Sequence, residues 1–306
     1  MSLEDIVIVE NLEKSIKGKK IIHDLSFKVQ KGQIYGFLGP NGSGKTTTIR
    51  MLTGMIKQSS GSIKIMGYDI QKDFKKVMQN LSAIVENPAL FDYMSGWDNL
   101  MQVVRRLDKK VELDHLKWCV QTVELTDRIH ENVKNYSLGM KQRLAIAQAL
   151  VSSPQIIILD EPTNGMDPSG IKDMRSLIKK LSREQQITIF LSSHLLSEIE
   201  QLCDHVLIIN KGRQVVAGSV SDLIARNTST YSLEVDPFQV DVAYKKLKNN
   251  SMEVYKENNK IIVNCKKEDI PHMVNFLYEK NIHVYLINQQ DNSLEDYFLS
   301  VTQEVM

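Results

Sequence analysis

The stretch "IYGFLGPNGSGKTTTIRML", residues 34–52, leaves a chain few ways to fold. Ile34 to Leu38 is a short apolar run that reads as a strand. It leads through Gly39, Pro40, Asn41, Gly42, Ser43 and Gly44 into Lys45 and Thr46, and then into apolar residues at helical spacing. A G-x-x-x-x-G-K-T segment between a strand and a helix lets backbone N–H groups turn inward around a phosphate, above the positive end of the helix. Lys45 is then placed to reach β- and γ-phosphates. The Thr46 hydroxyl suits Mg²⁺, and Thr47 beside it joins the phosphate-binding set. A glycine-rich turn that merely joined strand to helix would not need all four fixed positions.

Far along the chain, "IIILDEPTNGMDP" contains Ile156 to Leu159, an unbroken apolar run that reads as a fully buried parallel strand. Asp160 and Glu161 stand at its C-terminal end, where ligands of open α/β sheets collect. Asp160 suits Mg²⁺, and Glu161 is placed to polarise a water toward the γ-phosphate. A third apolar strand, Ile187 to Leu191, delivers His194 to the same sheet edge, where it can bond the γ-phosphate and the attacking water.

"YSLGMKQR", residues 136–143, holds no nucleophile or metal ligand. Ser137 is a good helix N-cap, and Gly139 lets a ligand approach the backbone at the positive end of the helix that follows. This is a second phosphate-binding helix end in a chain that already has one. The economical solution is a head-to-tail dimer, in which this segment closes over the nucleotide held by the partner's loop.

At this point the chain resembles the ATP-binding subunits of ABC transporters. The motifs stand in that family's order: Walker A at Gly39 to Thr46, the signature at 136–140, Walker B "IIILDE", the D-loop "NGMD" with Asp167, and the switch His194. The resemblance covers about residues 6–215. It implies an α/β fold: a P-loop NTPase core with a helical subdomain, binding ATP and Mg²⁺, closing as a sandwich dimer and opening after hydrolysis. In that reading Glu161 is the general base, and Ser137 and Gly139 reach the γ-phosphate. Implied partners are separate transmembrane permease subunits, with a second copy or a related subunit completing the dimer. The implied location is the cytoplasmic face of the cell membrane.

Three departures from the commonest family pattern are informative. Leu138 and Met140 replace a glycine and a glutamine of the signature. Ile16 stands where an aromatic often stacks on adenine, so modest ATP affinity or relaxed base selectivity is expected. Glu86 occupies the position of a glutamine that contacts Mg²⁺ and water; a carboxylate can still serve Mg²⁺, but it adds charge and cannot donate as an amide does. Glu86 together with "SLGMKQR" is similar to subunits of bacitracin-resistance and lantibiotic-immunity exporters.

Composition narrows the alternatives. With 38 Lys and Arg against 37 Asp and Glu, the net charge of +1 leaves no basic excess for nucleic acid. No apolar run reaches the length of a membrane span, and "MSLEDIVIVE" carries acids where a signal peptide has bases, so a soluble cytosolic chain is expected. Cys119, Cys203 and Cys265 lack CxxC spacing and read as reduced, mostly buried thiols. The alternatives are a soluble ABC ATPase acting on ribosomes or nucleic acid and a small-molecule phosphotransferase. Ribosome-acting relatives usually carry two ATPase units, DNA-repair relatives insert long coiled coils, and a phosphotransferase has no use for the signature.

The expected organisation is an ATP-binding domain at 1–226 and a small C-terminal α+β appendix at 227–306. A helical subdomain lies at about 87–135, where Phe91, Tyr93 and Trp97 either line a docking groove or fill a small core. In the appendix "YSLEV", "KIIVNC" and "IHVYLI" read as strands, "VAYKKLK" and "PHMVNFLYEK" as helices, "RNTSTY" as a linker and "SLEDYFLSVT" as a closing helix.

Overall fold

Alternating apolar and polar residues shape the first sheet. A computed structural model describes residues 4–108, 110–226, 230–250, 252–257 and 260–290. In it β1 (Asp5–Ile16) and β2 (Lys19–Gln30) form a long antiparallel hairpin. It buries Val7, Val9, Leu12, Leu25 and Val29 while the intervening lysines and glutamates face out.

The second sheet carries the motifs. β3 (Ile34–Leu38) is buried throughout and runs into α1 (Lys45–Leu52). β4 (Ser60–Ile65) and β5 (Tyr68–Asp69) return to the first sheet, whose order is β2-β1-β4-β5. After α2 (Phe74–Met78), β6 (Leu81–Ile84) enters the second sheet. α3 (Gly96–Val104), α4 (Leu113–Thr122) and α5 (Leu138–Leu150) follow. The sheet is then filled by β7 (Ile156–Asp160), β8 (Thr188–Ser193), β9 (His205–Asn210) and β10 (Arg213–Ser219). These alternate with α6 (Pro168–Arg183) and α7 (Leu196–Leu202).

The order of that sheet is β10-β9-β3-β8-β7-β6, parallel except for the edge strand β10. Strands buried on both faces must be apolar throughout, and Ile156 to Leu159 are each no more than 1% exposed. Burying such side chains stabilises the fold by about 2 kcal/mol each, before entropy is counted. Phe27, Tyr35, Phe37 and Phe190 stack between the sheets with ring centroids 5.5–6.1 Å apart. Because β3, β7 and β8 are parallel neighbours, their C-terminal ends bring Gly39, Glu161 and His194 to one edge. β8 begins one residue later than the sequence suggests and continues through Ser193.

Two tethers shape the loops around that edge. Asn99 is fully buried: its amide accepts from Phe91 N at 2.8 Å and donates to the Phe91 and Ser95 carbonyls at 3.0 and 2.9 Å. The turn between β9 and β10 presses on the phosphate loop. Gly212 N donates to Ser43 O at 2.9 Å, and His23 N donates to Gly212 O at 2.8 Å. A Cβ on Gly212 would lie 1.8 Å from the Ile21 carbonyl oxygen, and its φ of +73° is left-handed, so this position demands glycine.

The chain divides into two compact units between Ser219 and Val220. The second opens with α8 (Val220–Arg226) and continues with β11 (Thr230–Val235), α9 (Val240–Asn249), β12 (Glu253–Glu257), β13 (Lys260–Asn264), α10 (Ile270–Glu279) and β14 (Val284–Gln290). Strand order β12-β13-β11-β14, all antiparallel with a helix after the first and third strands, is the split βαββαβ arrangement. Its core gathers Leu233, Val235, Leu247, Ile261, Val263, Met273 and Leu277. Tyr231, shared by the expected linker and the expected strand "YSLEV", lies buried in β11, and Thr230, expected in the linker alone, opens that strand. β12 has no counterpart in the sequence reading. The closing helix "SLEDYFLSVT" lies outside the described residues.

Cys119 and Cys203 are buried and Cys265 is half-buried, all as free thiols. Burial pushes the Cys119 thiol up to about 12 and the Cys203 thiol well above its ordinary range. Among the described residues no helix is long and apolar enough to cross a membrane.

Candidate nucleotide site

The phosphate loop is held open by its glycines. Gly44 has φ +109°, and a Cβ there would meet Ile22 Cδ1 at 2.4 Å. Only glycine allows the turn that starts α1 with its first N–H groups facing a cleft of about 410 Å³. Asn41, Gly42, Gly44, Lys45, Thr46 and Thr47 line it, with Glu161, Asn164 and His194 opposite.

The charged groups are arranged around Glu161, whose left-handed φ of +51° turns its side chain off the end of β7. Lys45 is 6% exposed and its Nζ donates to the Gly39 carbonyl at 2.7 Å. The same ammonium lies 3.3 Å from Glu161 Oε1, while His194 Nδ1 lies 2.7 Å from Glu161 Oε2. Asp160 is buried, and Ser192 Oγ donates to its Oδ1 at 2.5 Å while accepting from Glu161 N at 3.0 Å. Ser192 therefore braces both carboxylate-bearing residues.

A smaller adjoining cleft, about 240 Å³, is bordered by Thr46, Glu86, Asp160, Glu161 and Asn164. Its donors are all hard oxygens, the chemistry of Mg²⁺. Among the described residues no cluster of three His, Cys, Asp or Glu could enclose a metal. Ser43 Oγ is buried without a hydrogen-bond partner beside Gly39.

The signature segment lies elsewhere. Ser137 caps α5 and accepts from Met140 N at 3.2 Å. Ser137, Gly139 and Met140 share a separate cleft of about 450 Å³ with Asp167, which caps α6 by accepting from Gly170 N at 3.1 Å. Leu138, 40% exposed, borders both this cleft and the one beside Thr46. A Cβ on Gly139 would meet nothing nearer than Ser137 Oγ at 3.9 Å, so the helix end is open.

Two expected site residues sit differently. Ile16 is 44% exposed and is absent from the cleft wall, where Ile21 stands instead. Glu86 borders the smaller cleft but its carboxylate is paired with Arg50. Ile21 and Arg50 are site neighbours that the sequence does not announce. Ser192 is one of the serines that the strand before His194 is expected to bring to this edge, and Asn164 opens the "NGMD" segment. Phe91 borders a groove with Met55 and Pro88, whereas Trp97 packs against His130 with centroids 6.0 Å apart.

Residues 22–164 match the family described as ABC transporter. The bacitracin transport ATP-binding protein BcrA of Bacillus licheniformis is 40% identical over 98% of both chains. The chain belongs to the ABC transporter family. A second relative, the uncharacterized ABC transporter ATP-binding protein YhcH of Bacillus subtilis, is 42% identical over 99% of this chain and 97% of its own. Among solved structures, cbiO1 from Clostridium perfringens, part of the ABC transporter complex cbiONQ, is 27% identical. It superposes with a TM-score of 0.67, covering 73% of this chain and 92% of that one. This protein is an ATP-binding subunit of the ABC ATPase family.

Proposed function

We propose that the chain hydrolyses ATP between two ATP-binding subunits and drives separate permease subunits at the cytoplasmic face of a membrane. The cargo in this reading is a peptide antibiotic of the bacitracin or lantibiotic kind. The observation that carries the chemistry is the Glu161 carboxylate held between Lys45 and His194. Lys45 and the loop amides bind the β- and γ-phosphates. Glu161 takes a proton from the attacking water, and His194, bonded to that carboxylate, orients it and senses the γ-phosphate. Thr46 and Asp160, with Glu86 at hand, would hold Mg²⁺, which would supply neutralisation of charge on the phosphates. Ser137 and Gly139, at an open helix end in a cleft apart from Lys45, serve the partner subunit's nucleotide, with Asp167 beside them. The 40% identity to a bacitracin transport protein over nearly the whole chain supports the cargo class.

Glu161→Gln is expected to retain ATP binding while turnover falls by about 10²–10⁴. Purified with ATP from gently solubilised membranes, it should elute as a dimer with a polytopic membrane protein in fixed ratio. Near-normal turnover removes Glu161 as the base; recovery with ribosomes and no membrane protein overturns the transporter reading.

A further inference from the structure

Three carboxylates border the small cleft beside Thr46: Asp160, Glu161 and Glu86. Each is matched by a group of its own chain. Asp160 accepts from Ser192, and Glu161 faces Lys45 and His194. Glu86 is paired with Nη2 of Arg50. Arg50 stands four residues after Thr46 on α1, so the two share one face of the helix and the guanidinium lies a turn below the magnesium-seeking hydroxyl. Glu86 has a left-handed φ of +62°, an uncommon backbone setting for a non-glycine residue.

The charge balance explains why such a partner matters. A glutamine at this position brings no charge beside the γ-phosphate, whereas a glutamate brings a full negative charge. Left unpaired, that charge opposes the incoming phosphates and attracts a divalent cation. Neither Lys45 nor His194 is paired with Glu86, since both are engaged by Glu161.

We propose that Arg50 is a positioning residue that neutralises Glu86 and sets how far it leans toward the magnesium side of the cleft. The inference rests on the nucleotide-site reading above. Arg50 makes a glutamate tolerable where an amide would serve without help, and it makes Glu86 a ligand exchanged between guanidinium and cation. The side chains of Arg50 and Glu86 are 44% and 57% exposed, so the effect is modest and salt-sensitive.

The experiment is ATP binding by calorimetry on the full chain, once in EDTA and once in Mg²⁺, at low and high salt. Arg50→Met is expected to weaken metal-free ATP binding about fivefold at low salt, with a smaller change in Mg²⁺. The ratio of the two affinities therefore rises. Arg50→Lys should restore most of the loss, Arg50→Met/Glu86→Gln should return the ratio to the wild-type value, and high salt should erase the difference. A merely structural role would lower both affinities together and would not be rescued by Glu86→Gln. If Arg50→Met folds poorly, Arg50→Gln supplies the same comparison. An unchanged ratio, or additive effects of the two substitutions, overturns the inference. Wild-type protein that binds no ATP in either condition overturns the site reading instead.

Discussion

Two helices of the first unit begin beside glycines, Gly44 before α1 and Gly139 in the first turn of α5, and their ends are built to opposite plans. The start of α1 is closed in by its own chain: Gly44 touches Ile22, Lys45 is bonded to Gly39, and Gly212 presses on Ser43. The start of α5 is open, with Gly139 facing empty space and Leu138 exposed. A loop that must hold triphosphate alone needs a rigid cradle, because ordering it on binding would consume affinity. An end that completes a site on another subunit needs only an accessible dipole and room for the ligand to arrive.

The sharpest way to break this contrast is to add the same methyl group to both ends. At Gly44 an alanine must accept a left-handed φ and displace Ile22, which costs about 1–3 kcal/mol of stability. ATP affinity should fall more than tenfold; calorimetry and thermal unfolding together check this. At Gly139 the methyl group has room, and replacing a helical glycine stabilises the chain by up to about 1 kcal/mol. In the proposed dimer ATPase turnover should nevertheless fall about tenfold, because the methyl group would obstruct the approach of the partner's nucleotide. Unfolding with stability raised but turnover unchanged would mean that α5 receives no phosphate. Ser137→Ala sharpens the comparison at the smallest scale. Losing the cap that accepts from Met140 N should cost about 1 kcal/mol, measured by denaturant unfolding.

How much of this was legible before the fold was known follows from the range of each interaction. The phosphate loop, the Asp160–Glu161 strand end and the Ser137 cap are local, so residue type and spacing declare them. The Arg50–Glu86, Asp160–Ser192 and Glu161–His194 pairs join positions 36, 32 and 33 residues apart. Only the parallel order of β6, β7 and β8 beside α1 brings those side chains together. The exchange of Ile16 for Ile21 on the cleft wall has a similar origin. The pairing of β1 with β2 shifts register repeatedly near their turn, and each shift changes which side chain reaches which face. In the second unit β12 escaped notice because "EVYKE" is an edge strand, charged and mostly exposed, with little apolar alternation to mark it.

The Gly212 turn has a mechanical consequence. It belongs to the hairpin of β9 and β10, the outermost pair of the second sheet, yet its amide holds the carbonyl of Ser43 within the phosphate loop. Of its two strands, β9 is buried and pairs with β3, with Val206 to Ile209 each 0% exposed, while β10 lies half-exposed at the edge. The phosphate loop is thus braced by a turn about 170 residues further along the chain. A substitution that distorts this remote turn is expected to reshape the loop without touching any residue of the cleft wall.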